Sequence, residues 1–238
     1  SELPIYVPLI VACGNTAEAY LGVFIIRAIQ RWRIQKHELD GEIIGLVTAS
    51  FLAPAVSATT GTFALTLAKV ISSEQIHENW VTWWSGDVVG SLIAFPITLF
   101  ALRHRPFEGW KKLFRALFIV LVAVVTCIIV FVVKAAEPFI FVLFPILLLA
   151  SSWAAAVGLY SSFLAVALLS IVFTLSGYGP FVVGGKNDSL MALQLFVGSL
   201  ALTAYVLAEF RKIIPLKYLA RPLLVGWLIS GAIFHSYY

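Results

Sequence analysis

The sequence predicts an all-α, polytopic integral membrane protein, a helical bundle of about eight transmembrane helices. Three observations predict it. The 238 residues are 61% hydrophobic and only 12% charged, with a mean hydropathy of +0.98, whereas soluble domains are about half apolar. The apolar runs are long and continuous, unlike the short alternating segments of a transmembrane barrel. They also recur at close to the roughly 20 residues that cross a bilayer. The runs place spans at 4–29, 41–70, 80–102, 113–133, 138–153, 155–176, 190–210 and 223–238.

The first span carries Gly14-Asn15-Thr16-Ala17-Glu18, with Glu18 near its middle. A charged group there costs about 2.5–3.5 kcal/mol on insertion scales, so Glu18 is expected to face the protein interior. Gly14 and Gly22 share its stripe and let a neighbouring backbone come close. Two readings stand for Glu18: a structural hydrogen-bonded carboxyl, or one that responds to a ligand or a proton. The second span is over-long and interrupted by Pro54 and Gly61, which predicts a kink or break. Its Ser57, Thr59, Thr60 and Thr62 hydroxyls either cap carbonyls freed by Pro54 or, with Thr59 foremost, touch a ligand from a broken helix.

The third span holds Asp87 behind Trp80, Trp83 and Trp84, at positions i, i+3, i+4 and i+7 of one face. Trp80 reads as an interfacial anchor. Trp83 and Trp84 beside Asp87 read either as a lined cavity or as further anchors. Gly86 and Gly90 follow the small-xxx-small rule and serve intramolecular packing or a homodimer seam. The fifth and sixth spans join tightly through Ala154, Ala155, Ala156 and Gly158. In the seventh, Gln194 and Thr203 read as interhelical hydrogen-bonding groups.

Basic residues set the topology. Arg27, Arg31, Arg33, Lys36, Arg103, Arg105, Lys111, Lys112, Arg115, Arg211, Lys212, Lys217 and Arg221 fall on one side, and Lys69, Lys134 and Lys186 on the other. The rich side is expected to be cytoplasmic, which puts both ends of the chain outside a bacterial inner membrane. Membrane lipids and a small ligand are the expected partners. The net charge of +4 is no nucleic-acid signal.

Catalysis has no carrier, since no nucleophile–base arrangement appears. No cofactor or metal is expected: His37, His77, His104 and His235 sit at helix ends or in loops, and no lysine lies mid-helix. Cys13 and Cys127 read as small buried hydrophobes. Ser176-Gly177-Tyr178-Gly179-Pro180 is superficially similar to a potassium-filter loop but follows a full span, so it reads as a plain turn. The chain opens on Ser1 and its one methionine is Met191, which reads as a fragment, and no cleavable leader is expected.

At these residues the chain resembles the first type of bacterial membrane-associated sensor domain, the MASE family. Gly14 to Ala19 is similar to its GNTLEA-like helix, and Trp83 to Gly90 with Phe95-Pro96 to its WWLGDALG…AP block. Phe144-Pro145, Gly177 to Phe181, and Leu193 to Phe196 with Leu202-Thr203-Ala204 resemble its FPLL, GxGPF and LQxF…LTA elements. The family's WPPAG-like opening is absent. The resemblance implies a sensory domain over 1–212. The helix in 213–238 is similar to one leading into an extracytoplasmic CHASE domain. A histidine kinase or a diguanylate cyclase or phosphodiesterase would follow. On this reading the chain senses a ligand or membrane state through Asn15, Glu18, Thr59, Trp83, Trp84 and Asp87 and signals by helix repacking. A proton-coupled transporter or channel and a structural dimerisation anchor are the alternatives.

Overall fold

The computed structural model describes residues 4–35, 41–103 and 109–213, and every regular element among them is helical. The helices are α1 (Tyr6–Gln35), α2 (Gly41–Leu52), α3 (Pro54–Leu67), α4 (Ile76–Arg103), α5 (Trp110–Val132), α6 (Leu143–Trp153), α7 (Ala155–Leu175) and α8 (Lys186–Ile213). Among the described residues six segments are long and apolar enough to cross a membrane: Tyr6–Trp32, Ile43–Leu67, Trp110–Val132, Lys134–Trp153, Ala155–Leu175 and Lys186–Glu209. The α4 helix, which carries Asp87, is not among these six. The expected span at 223–238 lies outside the described residues.

The chain forms two compact units, Ser1–His104 with Ser170–Leu202, and Arg105–Leu169 with Thr203–Tyr238. In the first unit the over-long second span is broken once, at Ala53, where Pro54 starts α3. Proline brings no N–H to the preceding turn and cannot continue its ladder. Gly61, expected to contribute to the break, instead lies inside the continuous α3 helix. The reason is packing: a side chain at Gly61 would fall on the Trp83 ring.

The α1 helix runs antiparallel to the α2–α3 pair. A Cβ at Gly45 would sit 3.3 Å from the Ile26 Cα, one at Gly22 would sit 3.7 Å from the Ala53 Cβ, and one at Gly14 would strike the Thr60 side chain. The α3 helix ends on Lys69 in the left-handed region (φ 57°). There the Val70 N–H reaches the Leu65 carbonyl and the Lys69 N–H the Thr66 carbonyl, the paired bonds of a Schellman cap. The same cap closes α7, with Gly177 at φ 83° and the Tyr178 N–H on the Phe173 carbonyl. Ser176 to Pro180 is thus the plain turn expected.

In the second unit, α5 buries Ala116, Ile119, Ala123, Cys127 and Val130 along one stripe at helical spacing. At the unit's α5–α6 contact, the Phe118 and Trp153 rings meet edge to face at 5.5 Å, and the Arg115 guanidinium lies over Trp153 at 6.0 Å, a cation–π geometry. The α6–α7 joint is as tight as its small residues require: only Ala154 separates the helices, and Ala155 takes φ 62°. Cys127 is fully buried as expected, but Cys13 is exposed, because it lies off the face of α1 that carries Val7, Gly14, Glu18 and Gly22.

Glycine substitutions separate tight from open positions. A side chain at Gly158 would strike the Ala154 methyl and lie 3.2 Å from Ile119, whereas one at Gly90 meets nothing within 4 Å. Gly158→Val is expected to cost about 1–3 kcal/mol by overpacking and Gly90→Ala almost nothing, read as the shift in thermal unfolding of the detergent-solubilised chain.

A carboxyl pair joined through a serine

Three helices of the first unit meet at Ser57. Its hydroxyl is buried, with 1% of the residue exposed. It donates to Asp87 Oδ2 at 2.8 Å and lies 3.0 Å from the Pro54 carbonyl, and the Glu18 carboxyl lies near enough to feel both this hydroxyl and the Asp87 charge. Glu18 comes from α1, Ser57 from α3 and Asp87 from α4. The hydroxyl has one proton to give and three oxygen neighbours to serve. Both acids are half-buried, and among the described residues no lysine or arginine pairs with either.

The register explains the meeting. On α1, Gly14, Glu18 and Gly22 step by four and face Thr60, Ser57 and Ala53 in turn. On α4, Trp83 and Asp87 step by four and face Gly61 and Ser57. Antiparallel neighbours produce this pairing of rising with falling numbers, because residues three and four apart lie on one helix face.

The tryptophans close the joint between α2 and α3. The Trp84 indole N–H donates to the Phe51 carbonyl at 3.0 Å, next to the break at Ala53, and its ring lies 6.1 Å from that of Phe51. Trp80 stacks on Trp84 with ring centroids 6.0 Å apart and 10° between planes, and its N–H donates to Thr59 Oγ1 at 3.0 Å. Thr59 passes its own proton to the Ala55 carbonyl at 2.6 Å, and Thr60 likewise turns back onto Val56. Thr59 and Thr60 thus bond carbonyls within α3 itself and not those that Pro54 frees, the Thr62 hydroxyl is buried without a hydrogen-bond partner, and Thr59 also receives Trp80.

A ladder of side chains ties α4 to the first turns of α8. Asn187 accepts from Thr82 at 2.8 Å and donates to Glu78 at 2.9 Å. Ser85 donates to Gln194 at 2.6 Å, so Gln194 is the interhelical group the sequence suggested.

Of the expected site residues, the structure brings together Glu18 and Asp87, with Trp83 and Trp84 on the adjoining turn and Thr59 beside Trp80. Asn15 is exposed on α1 and stays apart from them. Gly14 and Gly22 face α3 and its joint as expected. A Cβ at Gly86 would sit 3.3 Å from the Gln194 amide nitrogen, but one at Gly90 would meet nothing within 4 Å, so the two glycines do not form one seam within the chain. Ser57 and the seat at Gly61 were not singled out by sequence. The usable signal was the matching four-residue step of Ser57 and Gly61 on one helix and of Trp83 and Asp87 on the next.

Gly61→Ala puts a methyl on the Trp83 ring and loosens the seam that holds the Ser57–Asp87 bond one turn away. The expected outcome is a loss of about 1–3 kcal/mol with a change in tryptophan emission. Gly22→Ala, in ordinary contact with Ala53, is expected to stay within about 0.5 kcal/mol of the parent. Thermal unfolding followed by fluorescence reads both.

No curated protein and no solved structure matches the chain. The family model MASE1 matches residues 1–211, nearly the whole described region, and covers every residue of the carboxyl pair and its tryptophan surround. Its members are non-catalytic, membrane-associated sensory domains of signalling proteins. With six apolar helices of membrane-crossing length, this chain is a multi-pass membrane protein that belongs to the MASE1 family.

Proposed function

We propose that the chain is the input module of a bacterial signalling receptor in the inner membrane, with its basic side cytoplasmic, and that the Glu18–Ser57–Asp87 junction is its responsive group. The observation that carries this reading is a buried Ser57 hydroxyl bonded to Asp87, with a second carboxyl, Glu18 of another helix, close enough to interact with both. A proton or a cationic group arriving at the carboxyls changes which oxygen Ser57 serves. That alters the relative energy of two packings of α1, α3 and α4, and only such a differential interaction shifts a conformational equilibrium. The ladder from α4 passes the shift to α8, which leads toward the output domain, a histidine kinase or a cyclic-di-GMP enzyme.

Asp87→Asn and Glu18→Gln remove charge while keeping shape. In the full-length receptor each is expected to move basal output by on the order of tenfold, since a hydrogen bond to a charged group contributes about 1.5–3 kcal/mol. Membrane insertion is expected to stay intact. Parental output in both variants sinks the proposal. Proton or solute flux through proteoliposomes containing the isolated chain would move the assignment to a transporter, for which a broken helix beside membrane carboxyls is also suited.

A further inference from the structure

The bare side of α1 has a second feature, independent of the carboxyl junction. Almost none of the α1 span is buried. Toward its C-terminal half lies a groove of about 310 Å³ lined by Tyr20, Val23, Phe24, Arg27, Ala28 and Arg31. At about 100° per residue these six positions centre roughly 150° around the helix from Glu18, so the groove opens largely away from α3. Its apolar end is well exposed, Tyr20 at 76% and Phe24 at 69%. The other end holds two guanidinium groups one turn apart, with only the Ala28 methyl beside them.

We propose that this groove binds one anionic phospholipid, its phosphate held between Arg27 and Arg31 and an acyl chain lying along Phe24, Val23 and Tyr20. Three observations support that occupant. The depth is right: from Tyr6 to Arg27 the helix rises about 32 Å, the thickness of a hydrocarbon core, so the guanidinium groups sit at headgroup level. The charge is right: Glu18 is the one acid on α1 and points the other way, and among the described residues neither arginine has an acidic partner. The chemistry is right: guanidinium forks suit phosphate oxygens, and basic pockets on membrane helices take anionic headgroups. Phe24 and Tyr20 offer the chain below the headgroup an exposed aromatic surface and, with Ala28 small, the phosphate can sit between the arginines.

Native mass spectrometry of the intact 238-residue chain, released from detergent with phosphatidylglycerol or phosphatidylcholine at equal concentration, tests the site. One retained phosphatidylglycerol, favoured about tenfold over phosphatidylcholine, is expected. Arg27→Gln with Arg31→Gln should abolish that preference, while Lys111→Gln with Lys112→Gln, an equal loss of charge on α5, should leave it intact. Ala28→Leu keeps both charges but fills the groove, and it should also lose the adduct. It is an exposed helical substitution that leaves the fold undisturbed, so the test does not rest on the double arginine variant alone. Equal retention of the two lipids, or an adduct that survives Ala28→Leu, overturns the proposal. So does a lipid-free dimer that dissociates on Arg27→Gln with Arg31→Gln, because a second copy would then fill the groove.

Discussion

The fold of the first unit is organised around bringing two carboxyl groups, Glu18 of α1 and Asp87 of α4, to the start of α3. An acid facing acyl chains would cost several kcal/mol, and a buried polar group without a hydrogen bond costs about 1–3 kcal/mol. Ser57 bonds Asp87 directly and lies beside Glu18, and it can do so only if α1 and α4 both approach α3 closely. Gly14 and Gly22 clear the way on the α1 side, and Gly61 does so on the α4 side. The small residues are thus spaced by the same four-residue step as the acids they accompany.

Breaking the second span at Pro54 is part of the same solution. A proline removes a backbone donor and leaves carbonyls near the joint in need of partners. The Trp84 indole supplies one donor across the gap, and the Ser57 hydroxyl lies against another carbonyl. The aromatic face of α4 therefore serves the joint directly. Trp80, which by sequence looked like a membrane anchor, also has its N–H engaged, on Thr59. Anchoring and packing are compatible here because an indole has an apolar body and a single polar edge.

Much of this was legible in the sequence. Hydropathy located seven of the expected spans in register with helices among the described residues, because membrane length and apolarity are local properties. The inward stripe of Gly14, Glu18 and Gly22 was legible too, since a helix fixes which residues share a face. What could not be read locally was partnership. Nothing in the second span distinguishes Ser57 from Thr59 or Thr60 until α1 and α4 are laid beside it. Gly61 looks like a helix breaker because glycine has low helix propensity, yet in tertiary context it is the residue that admits an indole ring. Cys13 looked buried because it lies in an apolar run, but in a membrane protein apolarity marks the lipid-facing side as readily as the core.

The joints within this unit differ in kind. The α1 and α4 contacts with α3 pass through glycines, where backbone and ring surfaces meet directly and a shift of a fraction of an ångström meets hard repulsion. The α4–α8 contact runs through Thr82, Ser85, Asn187 and Gln194, whose amide groups each offer donors and an acceptor and can exchange partners without a steric penalty. Stiffness therefore gathers around the carboxyls and adaptability around the first half of α8. The sequence places Gly14, Gly22 and Gly61 around the Ser57 hydroxyl at the first kind of joint, and sets Gly86 among amide and hydroxyl side chains at the second.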